Sequence, residues 1–176
     1  MTEEKTGLFR KNSKPALTLK EKLAERAKLQ EKEKAIDWEE RKALWLEQVA
    51  KLYDGLEQWF QEYIHDAYMT FRRAKKASLT EKDIGSYEIE ILEIDIQDDI
   101  VVFEPVGTNV IGASGRIDVY LRGHKADHVM LLLFEANGER EQPWRWKLVF
   151  EESAFDFNKA RFEELLLWWF EKWAEL

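Results

Sequence analysis

The sequence predicts an α+β domain: a five-stranded antiparallel meander sheet packed by a long N-terminal helix and a C-terminal helix, with a charged arm in front. Three observations carry this. Trp38, Trp45, Leu52 and Trp59 recur every seven residues, with Val49, Leu56 and Tyr63 four positions later, which traces one helical seam. After Gly85 the apolar period falls to two, as in YEIEILEIDI, which is strand patterning. From Phe162 to Trp173 the spacing returns to i, i+3, i+4.

In chain order, Leu17–Lys34 is rich in helix formers but carries few apolar residues, among them Leu17, Leu19, Leu23, Ala27 and Leu29, so a helix there has little to bury. Asp37 reads as the N-cap of the Trp-rich helix, because Glu39 and Glu40 follow in its first turn, where carboxylates suit the helix dipole. Leu46, Tyr53, Phe60 and Ile64 widen the seam into a face that suits a sheet better than a twin helix. Gly55 interrupts the helix at a cost of roughly 1 kcal/mol relative to Ala. Arg72, Arg73, Lys75 and Lys76 place the predicted helix end near Lys76. Ser78–Gly85 reads as a connector.

Five strands follow. Tyr87–Ile96 changes phase at Ile91 and Leu92, which predicts a bulge. Asp98 and Asp99 turn the chain into Ile100–Val106. Gly115–Leu121 comes next, then His128–Ala136, apolar on both faces as in a central strand. Trp144–Glu151 places Trp144, Trp146, Leu148 and Phe150 on one side. Asn158 or Asp156 caps the last helix, whose buried stripe leaves Leu167 and Trp168 beside it. Trp45, Trp59, Trp169 and Trp173 read as structural.

The 176 residues suit one domain, placed at 37–176, behind a basic arm at 1–36. That arm holds ten Lys/Arg against six Glu, a net of +4, which leaves −12 for the remainder of a chain whose net charge is −8. A hydrophobic share of 45% with eight Trp argues against wholesale disorder. The lack of cysteine excludes disulfides, thiol catalysis, Cys-ligated zinc and Fe–S clusters, and allows a reducing compartment. No secretory h-region and no run of about 20 apolar residues is present, so the chain reads as soluble and cytoplasmic, away from membranes.

Glu104, Asp118 and Glu135 are the carboxylates to weigh for catalysis. Asp118 and Glu135 lie on successive predicted strands with sixteen residues between them. This resembles the PD-(D/E)xK nuclease pattern, which implies Mg²⁺ held by the Asp and Glu and a Lys two residues after the Glu. That position is Asn137 here, with Lys147 on the next strand as the available substitute. His124 and His128 read as loop residues without a third metal ligand, and His65 as partly buried. Trp144 and Trp146 beside Arg145 and Lys147 fit either a core strand or a platform for single-stranded bases. Residues 78–176 carry 21 acidic against 10 basic residues, which disfavours a polyanion there. No common nucleotide-binding, serine-hydrolase or zincin motif occurs.

The reading that follows is a non-catalytic protein-binding module, an adaptor, assembly factor or inhibitor, with no cofactor and no metal site. Its contacts are Leu167 and Trp168 on the last helix and Arg10, Lys11 and Lys14 in the arm; its partner is a protein or a second copy, with nucleic acid reached only through the arm. Two alternatives stand beside it. One is a nuclease-like protein, or a degenerate relative, using Asp118 and Glu135. The other is an acidic mimic of nucleic acid.

Overall fold

The computed structural model describes residues 17–136 and 143–174, so Arg10, Lys11 and Lys14 lie outside the described residues. The chain divides into two compact units, 1–37 and 38–176. The first contains α1 (Leu19–Lys34). It opens with a capping box: Thr18 Oγ1 accepts from the Glu21 N–H at 3.3 Å, and Glu21 Oε2 accepts from the Thr18 N–H at 2.7 Å. Leu19, Leu23 and Leu29 are exposed.

The second unit begins with α2 (Trp38–Trp59), which buries Trp45, Val49, Leu52, Tyr53 and Leu56. Phe60 separates it from the short α3 (Gln61–His65). The helical stretch therefore stops about ten residues before Lys76, and its end is a Schellman-type closure at Ala67. The Tyr68 N–H donates to the Tyr63 carbonyl at 2.8 Å while Ala67 adopts φ 61°. The basic cluster expected at a helix terminus does other work. Arg73 returns to α2, pairing with Asp54 at 2.8 Å, and Arg72 pairs with Asp95 at 2.6 Å.

Among the described residues nine strands follow, not five: β1 (Thr70–Arg72), β2 (Lys76–Glu81), β3 (Gly85–Glu90), β4 (Leu92–Ile96), β5 (Asp99–Gly107), β6 (Gly115–Leu121), β7 (Val129–Glu135), β8 (Trp144–Phe150) and β9 (Ser153–Asp156). Seven form an antiparallel sheet in the order β1-β4-β5-β6-β7-β8-β9, and β2-β3 is a separate hairpin. The expected connector at 78–85 is thus largely that hairpin. The phase change at Ile91–Leu92 is not a bulge within one strand but the place where the chain leaves the hairpin for the large sheet. A register shift does occur between Pro105 and Gly107 in β5, where a proline without an N–H suits an irregular ladder.

The chain closes with α4 (Lys159–Trp173), capped by Asn158, whose Oδ1 accepts from the Arg161 N–H at 2.9 Å. Together α2, α4 and one sheet face enclose the core. Ile94, Phe103, Ile117, Val119, Leu131 and Leu148 come from the strands, and Trp45, Leu56, Phe162 and Trp169 from the helices. Trp45 and Trp169 are fully buried, whereas Trp59 and Trp173 only pack against the core. Burial on this scale is the main stabilising contribution, because replacing a buried Trp by Ala typically costs about 3–5 kcal/mol. β7 has partners on both sides, but only Val129, Leu131 and Leu133 are buried; Met130, Leu132 and Phe134 are half-buried on the other face.

Ala67 generates a test. Its left-handed backbone favours glycine, so Ala67→Gly should raise stability by about 0.5–1 kcal/mol in urea unfolding. A loss would mean that the Ala67 methyl makes contacts worth more than the strain.

Candidate functional site

Because side chains alternate along strands, the sheet face turned away from the core carries Arg72, Glu93, Glu104, Asp118, Tyr120 and Arg122. Strand register sets their order: Arg72 opposes Glu93, Glu93 opposes Val102, and Val102 opposes Tyr120. Glu93 is almost inaccessible and is held by Lys75 at 2.9 Å, by Arg122, and by Arg72 at 3.6 Å. Glu104 opposes Asp118 directly, yet each has its own partners. Glu104 Oε2 accepts from the Tyr120 hydroxyl at 2.8 Å and pairs with Lys125 at 2.8 Å. Asp118 takes Arg116 bidentately at 2.7 and 3.1 Å, with His128 3.9 Å away.

This placement separates the nuclease-like residues. Asp118 opposes Met130 on β7, and Glu135 lies five residues further along that strand. An odd step puts Glu135 on the other face, and five residues span about 17 Å. Lys147 shares the face of Asp118 but stands two strands away, its Nζ 5.8 Å from the Phe134 ring centre. Asn137 lies outside the described residues. Among the described residues no cluster of three or more His, Asp or Glu is arranged to hold a metal ion. The base-stacking platform is likewise divided by alternation. Trp144 and Trp146 face α2, with Trp146 6.0 Å from Trp45, while Arg145 and Lys147 point to the opposite face. Of the histidines, His65 is exposed rather than partly buried, and His124 stacks on Trp173 with ring centres 3.9 Å apart.

The expected contacts on α4 fall on a real surface feature. Leu167 is 61% exposed and Trp168 36%, the latter set edge-on against Phe150 at 5.2 Å. Leu167 borders a cleft of about 420 Å³ whose walls are Phe60, Tyr63, Met69 and Ile96 on one side and Leu166 and Phe170 on the other. Tyr68, 56% exposed, stands at its mouth. Trp168 instead borders a second hollow with Asp127, His128 and Lys172, where Lys172 pairs with Asp127 at 3.1 Å and lies over both Trp168 and Trp173. Leu167 and Trp168 therefore serve two adjoining surfaces.

Sequence reasoning missed Glu81 altogether. Its Oε1 accepts from the Thr108 N–H at 2.7 Å, the Thr108 hydroxyl at 2.8 Å and the Asn109 N–H at 2.9 Å, and its Oε2 accepts from the Tyr87 hydroxyl at 2.6 Å. Arg41 donates to the Thr108 carbonyl at 2.9 Å. Gly107, at φ 141°, leaves room for this carboxylate, since a Cβ there would stand 3.0 Å from Oε1. The loop so anchored presents Ile111 wholly to solvent. A partner 27 residues away leaves no local signal in the sequence.

Burial pushes the Glu81 carboxyl up, but its hydrogen bonds from Tyr87, Thr108 and Asn109 outweigh that and hold it below the ordinary 4.5. In Glu93 and Glu104, too, burial acts upward and is outweighed, in Glu93 by Lys75 and Arg122, in Glu104 by Lys125 and Tyr120. A folded-state value below the unfolded one gives stability that is complete above the unfolded value and is lost as pH falls through the folded one. Glu81→Gln should therefore cost about 1–3 kcal/mol at pH 7, with a smaller difference from wild type at pH 3, measured by denaturant unfolding at both. An equal difference at both values would mean that the carboxylate charge contributes nothing.

Comparison with family models, with curated proteins and with solved structures finds no match, so the functional reading rests on this geometry.

Proposed function

We propose that the chain is a non-catalytic protein-binding module whose cleft beside Leu167 receives an apolar side chain from a basic segment of a partner protein. The supporting observation is the exposure of Leu167 and Tyr68 at the mouth of a preformed apolar cleft. An exposed leucine alone is ordinary, but one bordering a concave apolar surface has the geometry of an anchor site. Charge selects the flanks of the incoming segment. Among the described residues Glu163 is the one carboxylate lining the cleft, and in the chain Asp98 follows the lining residue Gln97 and Asp66 lies two positions before Tyr68. Lys159 is engaged with Glu163 at 3.7 Å and lies over the Tyr63 ring.

The carboxylates of the alternative nuclease reading are engaged or separated, which leaves the binding reading as the better supported. Among the described residues no helix is long and apolar enough to cross a membrane. Arg10, Lys11 and Lys14 enter this reading as a second contact, with an acidic surface.

The test uses a photo-crosslinking amino acid at Leu167, with the exposed Glu47 position as control, in native extract. The expected adduct maps to a segment carrying a large apolar residue flanked by Lys or Arg. Leu167→Asp should then weaken binding of that purified partner at least tenfold while leaving the unfolding midpoint unchanged. No adduct above the control, or unchanged affinity of Leu167→Asp, would overturn the proposal.

A further inference from the structure

A third concavity lies between α2 and the start of β8, with a volume of about 800 Å³. One stripe of α2, Gln48, Leu52, Gly55 and Trp59, forms one wall, and Trp144, Trp146 and Phe157 form the other. Two features separate it from a packing defect.

The first is Gly55. A glycine inside a helix lowers helix stability, and a neighbour that leaves no room for a side chain is one structural reason for it. Here a Cβ would meet nothing within 4 Å, so no packing among the described residues requires it. Its effect is to keep the middle of the groove clear.

The second is the backbone of Trp144. Alternate residues of β8 bond to alternate neighbours. The Ala136 N–H donates to the Pro143 carbonyl on the β7 side, and the Phe157 N–H donates to the Trp146 carbonyl at 3.1 Å on the β9 side. The N–H and C=O of Trp144 therefore point the same way as those of Trp146. The last β8–β9 ladder pair is Lys147 with Asp156, after which Asn158 caps α4 and the chain turns away. Among the described residues no strand lies beside Trp144. The one N–H and one C=O of Trp144 at the wall of this groove can pair with an extended backbone, and Trp59, Trp144 and Trp146 offer rings for its side chains, with Lys51, Arg145 and Asp156 also lining the groove.

We propose that this groove binds an extended peptide segment of a partner protein, which pairs with the Trp144 backbone and seats alternate apolar side chains against Trp59, Trp144 and Trp146. From Gln48 to Trp59 the α2 wall is about 16 Å long at 1.5 Å per residue, enough for about five extended residues. The site is separate from the Leu167 cleft and does not depend on it.

The probe is a displayed library of linear decapeptides selected on the full chain, with selected peptides synthesised and measured by calorimetry. Selected sequences should carry large apolar residues at alternate positions. Gly55→Leu should weaken them at least tenfold with no fall in unfolding midpoint, and Leu167→Asp should leave them unchanged. N-methylation of single peptide amides should abolish binding only at the one amide that donates to the Trp144 carbonyl. If Gly55→Leu disturbs the fold, indole N–H resonances of the unmodified protein decide: shifts at Trp59 and Trp144 with none at Trp168 support the site. The reverse pattern, binding indifferent to N-methylation at every position, or no peptide sensitive to Gly55→Leu would overturn it.

Discussion

Trp45 occupies space that a side chain at Gly115 would need. A Cβ built on Gly115 would overlap Cζ3 and Cε3 of the indole, so the largest side chain of α2 rests directly on the backbone at the start of β6. From that contact the helix runs along the sheet. One turn on, Val49 is buried, then Leu52, Tyr53 and Leu56, and the Tyr53 hydroxyl donates to the Glu90 carbonyl at 3.0 Å. That bond joins the hairpin β2-β3 to the helix, and Tyr53 also meets Phe103 edge-on at 6.3 Å between ring centres. The position of α2 in turn sets which sheet face is core, because the period of a strand is two and a one-residue change would exchange the faces. Every surface described above inherits this choice: the ionic face, the cleft beside Leu167 and the groove beside Gly55.

The polar anchors follow the same logic of placing the cost where it is offset. A buried carboxylate is expensive without partners, and Glu93 has three cations around it while Glu81 has four hydrogen bonds. These two groups tie together segments that are far apart in the chain. Glu93 ties together β1, the Lys75 connection and the end of β6 near Arg122; Glu81 ties the hairpin to the loop that displays Ile111. The result is an acidic body on which Ile111, Leu167 and Trp168 stand exposed.

The parts of the fold legible in the sequence were those with long unbroken periods. The Trp38–Trp59 seam and the Phe162–Trp173 stripe announce buried helices, and Gly115–Leu121 and Trp144–Phe150 announce half-buried strands. What was not legible has a common physical cause. Among the described residues three that are not glycine, Ala67, Gln97 and Glu151, hold left-handed backbones, and two of them mark elements the sequence hid. Ala67 ends the helical stretch where a glycine would have signalled it, and Glu151 turns the chain into β9, a stretch to which the sequence reading assigns no element. β1 has only three residues and exists because β4 and the partners of Arg72 hold it there. At the surface, Leu167 and Trp168 were legible because they sit beside a buried stripe. The separation of Asp118 from Glu135 was not, since sixteen intervening residues say nothing about register. Gly55 was visible as an anomaly, but only the empty space beside it gives it a meaning.

The seating of α2 on β6 is tested most directly by a double-mutant cycle between Gly115→Ala and Trp45→Leu, read by urea unfolding. Gly115 does not have a positive φ, so Ala in its place would ordinarily be neutral or stabilising. With Trp45 present it should instead cost about 2 kcal/mol or more through overpacking. In the Trp45→Leu background that cost should fall by at least about 1 kcal/mol, the mark of direct coupling. A Gly115→Ala effect that is the same in both backgrounds within about 0.5 kcal/mol, or a wild-type chain stabilised by it, would contradict the seating of Trp45 on Gly115.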